Sequence, residues 1–275
     1  MPIQCIYKQA DTKKILYSWF GCMDTRVDII LCDKKEEEAK RIAEAIYKQL
    51  YKLEKTGNYY DPLSELSTIN NAGYNTSVVV SADLFSMIKM CLTYHKITAG
   101  YFDITIHSDN HTIDTIKSVL ISEKDLSITL NKKGIRLNLS AFIKGYALDT
   151  VKSILEKNKI NNALINIGNS SVLTMGNHPF GDGWKIGIDF PTTTNERKEI
   201  TLKNKNLTTS GNNIASRKHI ISPHTGKYIE GVKGVSVITD TAVDGEVLST
   251  ALFAAEPPEK RLGILRHFNA TIYNL

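Results

Sequence analysis

The chain has 275 residues, 42% hydrophobic and 23% charged, which is ordinary for a globular protein and enough to bury a substantial core. Its 34 basic and 29 acidic residues leave a net charge of +5, and the lysines are scattered rather than gathered with aromatics into a stripe, which argues against a nucleic-acid partner. Cys5, Cys22, Cys32 and Cys91 show no zinc-cage spacing and indicate no disulfide, and no apolar run approaches the ~18 residues that span a bilayer.

The N-terminal MPIQCIYKQADTKK is polar where a signal peptide carries an apolar stretch of about 7–15 residues, so the chain reads as soluble and cytoplasmic. Two β-leaning runs follow, ILYSWFGCM and RVDIILC, with Met23-Asp24-Thr25 between them. Asp33 and Glu36 form a capping-box-like start to a long amphipathic helix whose apolar face is Ala39, Ile42, Ala43, Ile46, Leu50 and Leu53. Tyr59 to Asn70 reads as a turn into a short helix, and Val78 to Val80 as a short strand. Ser81 caps a further helix lined by Leu84, Ile88, Cys91, Leu92 and His95, the last a structural histidine. LSITLNKKGIRLNL reads as a hairpin leading into Leu137 to Gly176, around which the chain is organised: a loop, a helix, a buried strand at Ala163 to Ile167 and a Gly-marked turn. In that helix Ser140 is the candidate N-cap, Ile143, Ala147, Val151, Ile154 and Leu155 recur at helical spacing, and Asn158 is placed for a left-handed C-terminal position. Lys144-Gly145 lies in its first turn, where Gly costs roughly 1 kcal/mol against Ala, so the pair is either an anion site or a solvated Lys beside a packing Gly. Trp184 to Pro191 alternates like a strand. Near the C-terminus Glu246 and Thr250 are spaced i, i+4, which puts two oxygens on one side of a helix as a hard cation requires.

The runs LNLSAFIKGYALD and NALINIGN resemble the "LDLGAIAKGYAAD … ALVNLGG" signature of the ApbE-like flavin transferases, which use FAD and Mg2+ to attach FMN to a Thr or Ser of another protein. In unbroken order from about Met23 to Phe253, other segments resemble the family as well: YYDPLSELSTIN, TAGYFDITI, LTTSG, HIISPHTG and GEVLSTALF. The resemblance implies one compact domain over 1–275, of α/β class and α+β type, with a mostly antiparallel mixed sheet, as one body or two lobes with FAD in a cleft between early and late motifs. It also implies residue roles. Met23 packs on the flavin and Tyr60 faces its ring, where without the family Met23 would read as core filler and Tyr60 as a surface packer. Tyr101, Phe102 and Asp103 line the FAD site, joined by Asn138, Lys144, Ser210, Gly211 and Ile221. The Ala141 carbonyl, Glu246 and Thr250 hold Mg2+, with FAD phosphate and water completing the shell. Lys144 and His219 are the catalytic candidates; His219 either takes the acceptor proton or braces the loop before Pro223.

The implied reaction is transfer of FMN from FAD to a protein hydroxyl with release of AMP. The alternatives are an FAD diphosphatase, in which water replaces the acceptor, and an FAD-binding protein that has lost catalysis. The expected partners are FAD and an acceptor protein with a flavinylation-type Thr or Ser. Family members are commonly exported lipoproteins, so removal of a leader is the alternative to a cytoplasmic chain. The sequence departs from the family pattern at Asn138, Ser222 and Glu246, each in place of Asp, and at Asn169-Ser170, in place of the second Gly and its neighbour. Glu246 reaches one C–C bond further than Asp, and Asp244 is its rival as the metal ligand.

Overall fold

A computed structural model describes residues 3–10, 12–189, 197–212, 220–231, 233–257 and 259–273. Strands β2 (Lys13–Cys22) and β3 (Thr25–Cys32) pair antiparallel through a two-residue turn in which Met23 and Asp24 both have positive φ, 55° and 54°. That is the type I′ geometry whose twist matches a hairpin, so Asp stands where Gly is usual without opening the turn. Strand β1 (Gln4–Ala10) adds to the outer edge of β2. Its sequence shows no apolar alternation because an edge strand needs only backbone donors and acceptors, and most of its side chains are exposed.

Helix α1 (Glu36–Gly57) buries the predicted stripe from Ala39 to Leu53. The capping box does not form: Lys35 is the N-cap, and Asp33, at φ 66°, turns its carboxylate to accept from Asn162 Nδ2 at 2.7 Å. Helix α2 (Glu65–Asn71) is capped by Ser64, strand β4 is Ser77–Val79, and α3 (Ala82–Ile97) is capped by Ser81. A 3-10 turn at Thr115–Ser118 precedes β5 (Val119–Ser122) and β6 (Ser127–Leu130). These strands form a small sheet in the order β4-β6-β5, so β6 pairs backward with β5 and the hairpin expected over 126–139 is absent. The backbone donors that hairpin would have used are satisfied otherwise: Arg136 N by Ser108 Oγ at 3.0 Å, Leu137 N by Asn70 Oδ1 at 2.8 Å, and Asn138 N by the Ile104 carbonyl at 2.8 Å.

Helix α4 (Ile143–Lys157) begins two residues later than Ser140 would set it, with Phe142 as N-cap and no side-chain cap. Asn158 stays near helical geometry at φ −92°, its side chain bonded to the Ile154 carbonyl, and Lys159 takes the left-handed position at φ 55°. Then come β7 (Ala163–Ile167), β8 (Ser171–Met175), β9 (Trp184–Asp189), β10 (Arg197–Leu202), β11 (Asn206–Asn212), β12 (Lys233–Thr239), α5 (Ala242–Ala254), α6 (Glu259–Leu265) and β13 (Ala270–Tyr273). The main sheet runs β1-β2-β3-β7-β8-β11-β12-β13, β9 and β10 form a separate ribbon, and every described pairing is antiparallel. The four cysteines are free thiols, and no described helix is long and apolar enough to cross a membrane.

Helix α5 is apolar on nearly all sides because it lies between α4 and strands β11 and β12. Two glycines set its depth. A Cβ on Gly145 of α4 would meet the Ala242 carbonyl oxygen at 2.7 Å and Glu246 Cγ at 2.8 Å; one on Gly245 of α5 would meet Thr208 Oγ1 at 2.6 Å. Gly145 is thus the packing glycine of the two readings left open above. In an open helix interior Gly→Ala stabilises by about 1 kcal/mol. At this crossing Gly145→Ala is expected to destabilise by about 1–3 kcal/mol, because backbone rather than a flexible side-chain end must yield. Urea unfolding decides the sign, and a stabilised variant would refute the close crossing.

Candidate active site

The α4–α5 crossing places a buried carboxylate at the edge of a large cavity. Glu246, 4% exposed, accepts a short hydrogen bond through Oε1 from Ser171 Oγ at the start of β8. Lys144 Nζ lies 3.8 Å from the same oxygen and donates to Ser170 Oγ at 2.6 Å, so the ammonium is held beside the carboxylate without a tight ion pair. The other oxygen, Oε2, has no hydrogen-bond partner among the described residues. The extra methylene of Glu over Asp is used to reach Ser171 across from the helix to the strand. Asp149, one turn further along α4, accepts from the N–H groups of Ala242 at 2.9 Å and Val243 at 3.0 Å. It caps the α5 N-terminus and fixes where the turn bearing Glu246 lies; burial pushes its carboxyl up from the usual range while these two bonds pull the other way. The neighbouring Asp244 is committed elsewhere, accepting from Tyr94 OH at 2.7 Å and Thr241 Oγ1 at 2.7 Å, and does not line the cavity.

One helical turn beyond Glu246, Thr250 Oγ1 stands 3.4 Å from Ser210 Oγ, which is itself 2.8 Å from Ser249 Oγ. Ala141, Glu246 and Thr250 all line the cavity, and no cluster of three His, Cys, Asp or Glu residues able to hold a metal occurs among the described residues. A hard cation that takes few protein oxygens and completes its shell with water and phosphate fits this set, since Oε2 is an unpaired carboxylate oxygen on the cavity wall near the Thr250 hydroxyl and the Ala141 backbone. Mg2+ is such a cation.

Another part of the cavity wall is aromatic. Met23 is held by its backbone N–H, which donates to Glu54 Oε1 on α1 at 2.7 Å. Tyr60 is 69% exposed and meets Tyr59 edge-on at 5.1 Å. Tyr101 is buried, its hydroxyl donating to the Glu256 carbonyl at 3.0 Å and its ring stacked on His224 at 4.1 Å. Phe102 is buried beside Tyr94 and Phe142. Asn138 does not reach out as a free acceptor: its Oδ1 takes the Ser140 N–H at 2.8 Å and shapes the loop before α4.

The cavity measures about 930 Å³, near the top of the ~300–1,000 Å³ range of small-molecule sites, and so suits a dinucleotide-sized ligand. Its walls bring together Met23, Tyr60, Tyr101, Phe102 and Asp103 from the first half of the chain, Asn138, Ala141 and Lys144 from its middle, and Ser210, Gly211, Ile221, Glu246 and Thr250 from further on. His219 lies outside the described residues. Sequence reasoning missed His107, Ser170, the run Lys185 to Ile188 on β9, and the bracing roles of Ser171 and Asp149. For Ser170 the departure from a second glycine was the available signal; a lone histidine after a strand-like run gave none.

Asp103 is a wall residue whose carboxylate is fully committed. Its Oδ1 accepts from Thr105 N at 2.7 Å and Thr105 Oγ1 at 2.6 Å, while Oδ2 accepts from His111 Nε2 at 2.9 Å; His95 Nε2 stands 3.4 Å from the same oxygen without the geometry of a hydrogen bond. His95 therefore stands beside a carboxylate that its sequence position did not reveal. Burial alone would raise the Asp103 pKa, but the bond from His111, the adjacent His95 and the bonds from Thr105 outweigh it and hold it down to about 2. Because the folded value lies below the unfolded 3.8, this stabilisation is full above pH 4 and is lost as pH falls through about 2. Asp103→Asn is expected to cost about 2 kcal/mol at pH 7, with the gap to the parent closing between pH 4 and 2. A gap independent of pH in urea unfolding would assign the loss to packing instead.

The family and structural comparisons cover nearly the whole chain. A protein named FAD:protein FMN transferase from Haemophilus influenzae is 27% identical over 257 residues, covering 78% of this chain and 72% of its own length. One of the same name from Chlamydia pneumoniae is 25% identical over 248 residues, covering 78% and 77%. Among solved structures, the flavin transferase ApbE from Vibrio cholerae matches with a TM-score of 0.81 at 19% identity, covering 98% of this chain and 93% of that one, which shows a shared fold. The sequence model of the ApbE family matches residues 23–272, and the chain belongs to that family.

Proposed function

We propose that this chain is an FAD:protein FMN transferase, which moves FMN from FAD to a Thr or Ser hydroxyl of an acceptor protein and releases AMP. The observation that carries the reading is the joining, in one cavity, of an unpaired carboxylate oxygen beside a lysine with an aromatic and thioether wall, the two chemistries that a flavin dinucleotide presents as pyrophosphate and ring. Relatives that carry this activity in their names match over most of both lengths.

In the proposed reaction the acceptor oxygen bonds to the phosphorus on the FMN side, and the bond from that phosphorus to the bridging oxygen breaks. AMP leaves with that oxygen. Such a transfer asks mainly for positioning and charge stabilisation. Lys144, steadied by Ser170, supplies a fixed positive charge at the pyrophosphate. Glu246, Thr250 and the Ala141 carbonyl are the residues that would hold Mg2+, which when bound neutralises charge on the phosphate oxygens. Ser171 and Asp149 keep Glu246 in place. His219 is the residue proposed, from its motif, to take the acceptor proton. Met23 and Tyr60 cover the flavin ring.

Incubation with FAD, Mg2+ and a peptide bearing a flavinylation-type Thr tests this by mass spectrometry of peptide and nucleotide. Covalent FMN on the peptide with stoichiometric AMP is expected; free FMN and AMP with an unlabelled peptide would instead assign hydrolysis. Glu246→Gln keeps size and removes charge, and is expected to lower the rate roughly 100-fold or more at any Mg2+ concentration. A parent-like Mg2+ titration for Glu246→Gln would remove Glu246 from the metal site.

A further inference from the structure

One polar group of the cavity wall is left without a role by this reading. The backbone from Thr105 to Ser108 closes a turn through Ser108 N to the Thr105 carbonyl at 2.9 Å, and both ends are pinned: Thr105 by Asp103, Ser108 Oγ by Arg136 N at 3.0 Å. The two central residues, Ile106 and His107, both line the cavity. The His107 ring stacks on Tyr59 at 5.4 Å and 25°, which fixes its plane, and makes no hydrogen bond among the described residues. Burial, with His111 nearby, lowers its pKa, so at neutral pH the imidazole is uncharged and offers one N–H donor and one bare nitrogen acceptor.

We infer that His107 is a recognition residue for the flavin ring, hydrogen-bonding the polar pyrimidine edge of the isoalloxazine. Tyr59 links it to the proposed ring site, stacking on His107 and standing nearly perpendicular to Tyr60, whose exposed ring offers an aromatic surface. The isoalloxazine presents both demands at once, an extended apolar face and an edge of alternating acceptor, donor and acceptor. The phosphate-binding groups, Lys144 and Glu246, belong to the separate α4–α5 crossing. The inference rests on the FAD reading above and adds to it the residue that selects the flavin half.

The test titrates FAD, FMN and ADP into the parent, His107→Phe and His107→Gln by calorimetry. Phe keeps a ring against Tyr59 and removes both nitrogens; Gln restores a donor and an acceptor. His107→Phe is expected to weaken FAD and FMN roughly tenfold, the size of one lost neutral hydrogen bond with its partner left unpaired, while ADP changes less than about twofold. His107→Gln should recover much of the loss. If His107→Phe fails to fold by circular dichroism, His107→Leu takes its place in the same comparison. Unchanged FMN affinity, or an equal loss for ADP, overturns the inference while the transferase reading stands. A parent that binds ADP but no FMN overturns both.

Discussion

The site depends on how closely α5 approaches α4. A helix sandwiched between another helix and a sheet must be apolar nearly all round, and α5 is, apart from Asp244, Glu246, Ser249 and Thr250, of which Glu246 and Thr250 line the cavity. Gly145 and Gly245 remove the Cβ atoms that would hold the layers apart, and Asp149 ties the α5 N-terminus to α4. Glu246 is thereby carried into a buried position within reach of Ser171 and Lys144. A buried carboxylate is tolerable only with partners. Ser171 bonds one oxygen and Lys144 stands near it, so the other remains available for a ligand.

The departures from the family pattern look different once this geometry is known. Glu in place of Asp comes with Ser171, which receives the longer carboxylate. Asn169-Ser170 in place of a second Gly brings the hydroxyl that holds Lys144. Asn138 in place of Asp still accepts the Ser140 N–H, the work of an acceptor oxygen that does not require charge. Each of these three changes has a local partner in the folded chain.

The two ends of the cavity are supported in different ways. Lys144, Ser170 and Glu246, the residues proposed to meet phosphate and metal, sit on α4, α5 and the β7–β8 turn, elements fixed by the core. The aromatic side is built from loops braced by side chains, notably Asp103 with its two histidines and Asn70, which bonds both the N–H and the carbonyl of Leu137. Those braces take the place of the strand pairing that the sequence suggested for 126–139.

Periodicity was enough to locate the long helices and most central strands, because burying an apolar face leaves a period in the sequence whatever the partner. The i, i+4 spacing of Glu246 and Thr250 likewise needs only a helix, and the motif order was enough to collect the residues of the cavity wall. Three kinds of fact needed the tertiary structure. Caps were decided by neighbours, as when Asp33 turned to Asn162 instead of the α1 N-terminus. Strand pairing at the edges was decided by which backbone groups already had partners, which added β1 and dissolved the second half of the expected hairpin. The place of single polar residues was decided by what packs beside them: Lys144-Gly145 was ambiguous as a sequence pair, and the opposing backbone of Ala242 makes Gly145 a spacer while Lys144 is held beside the Glu246 carboxylate at the cavity wall.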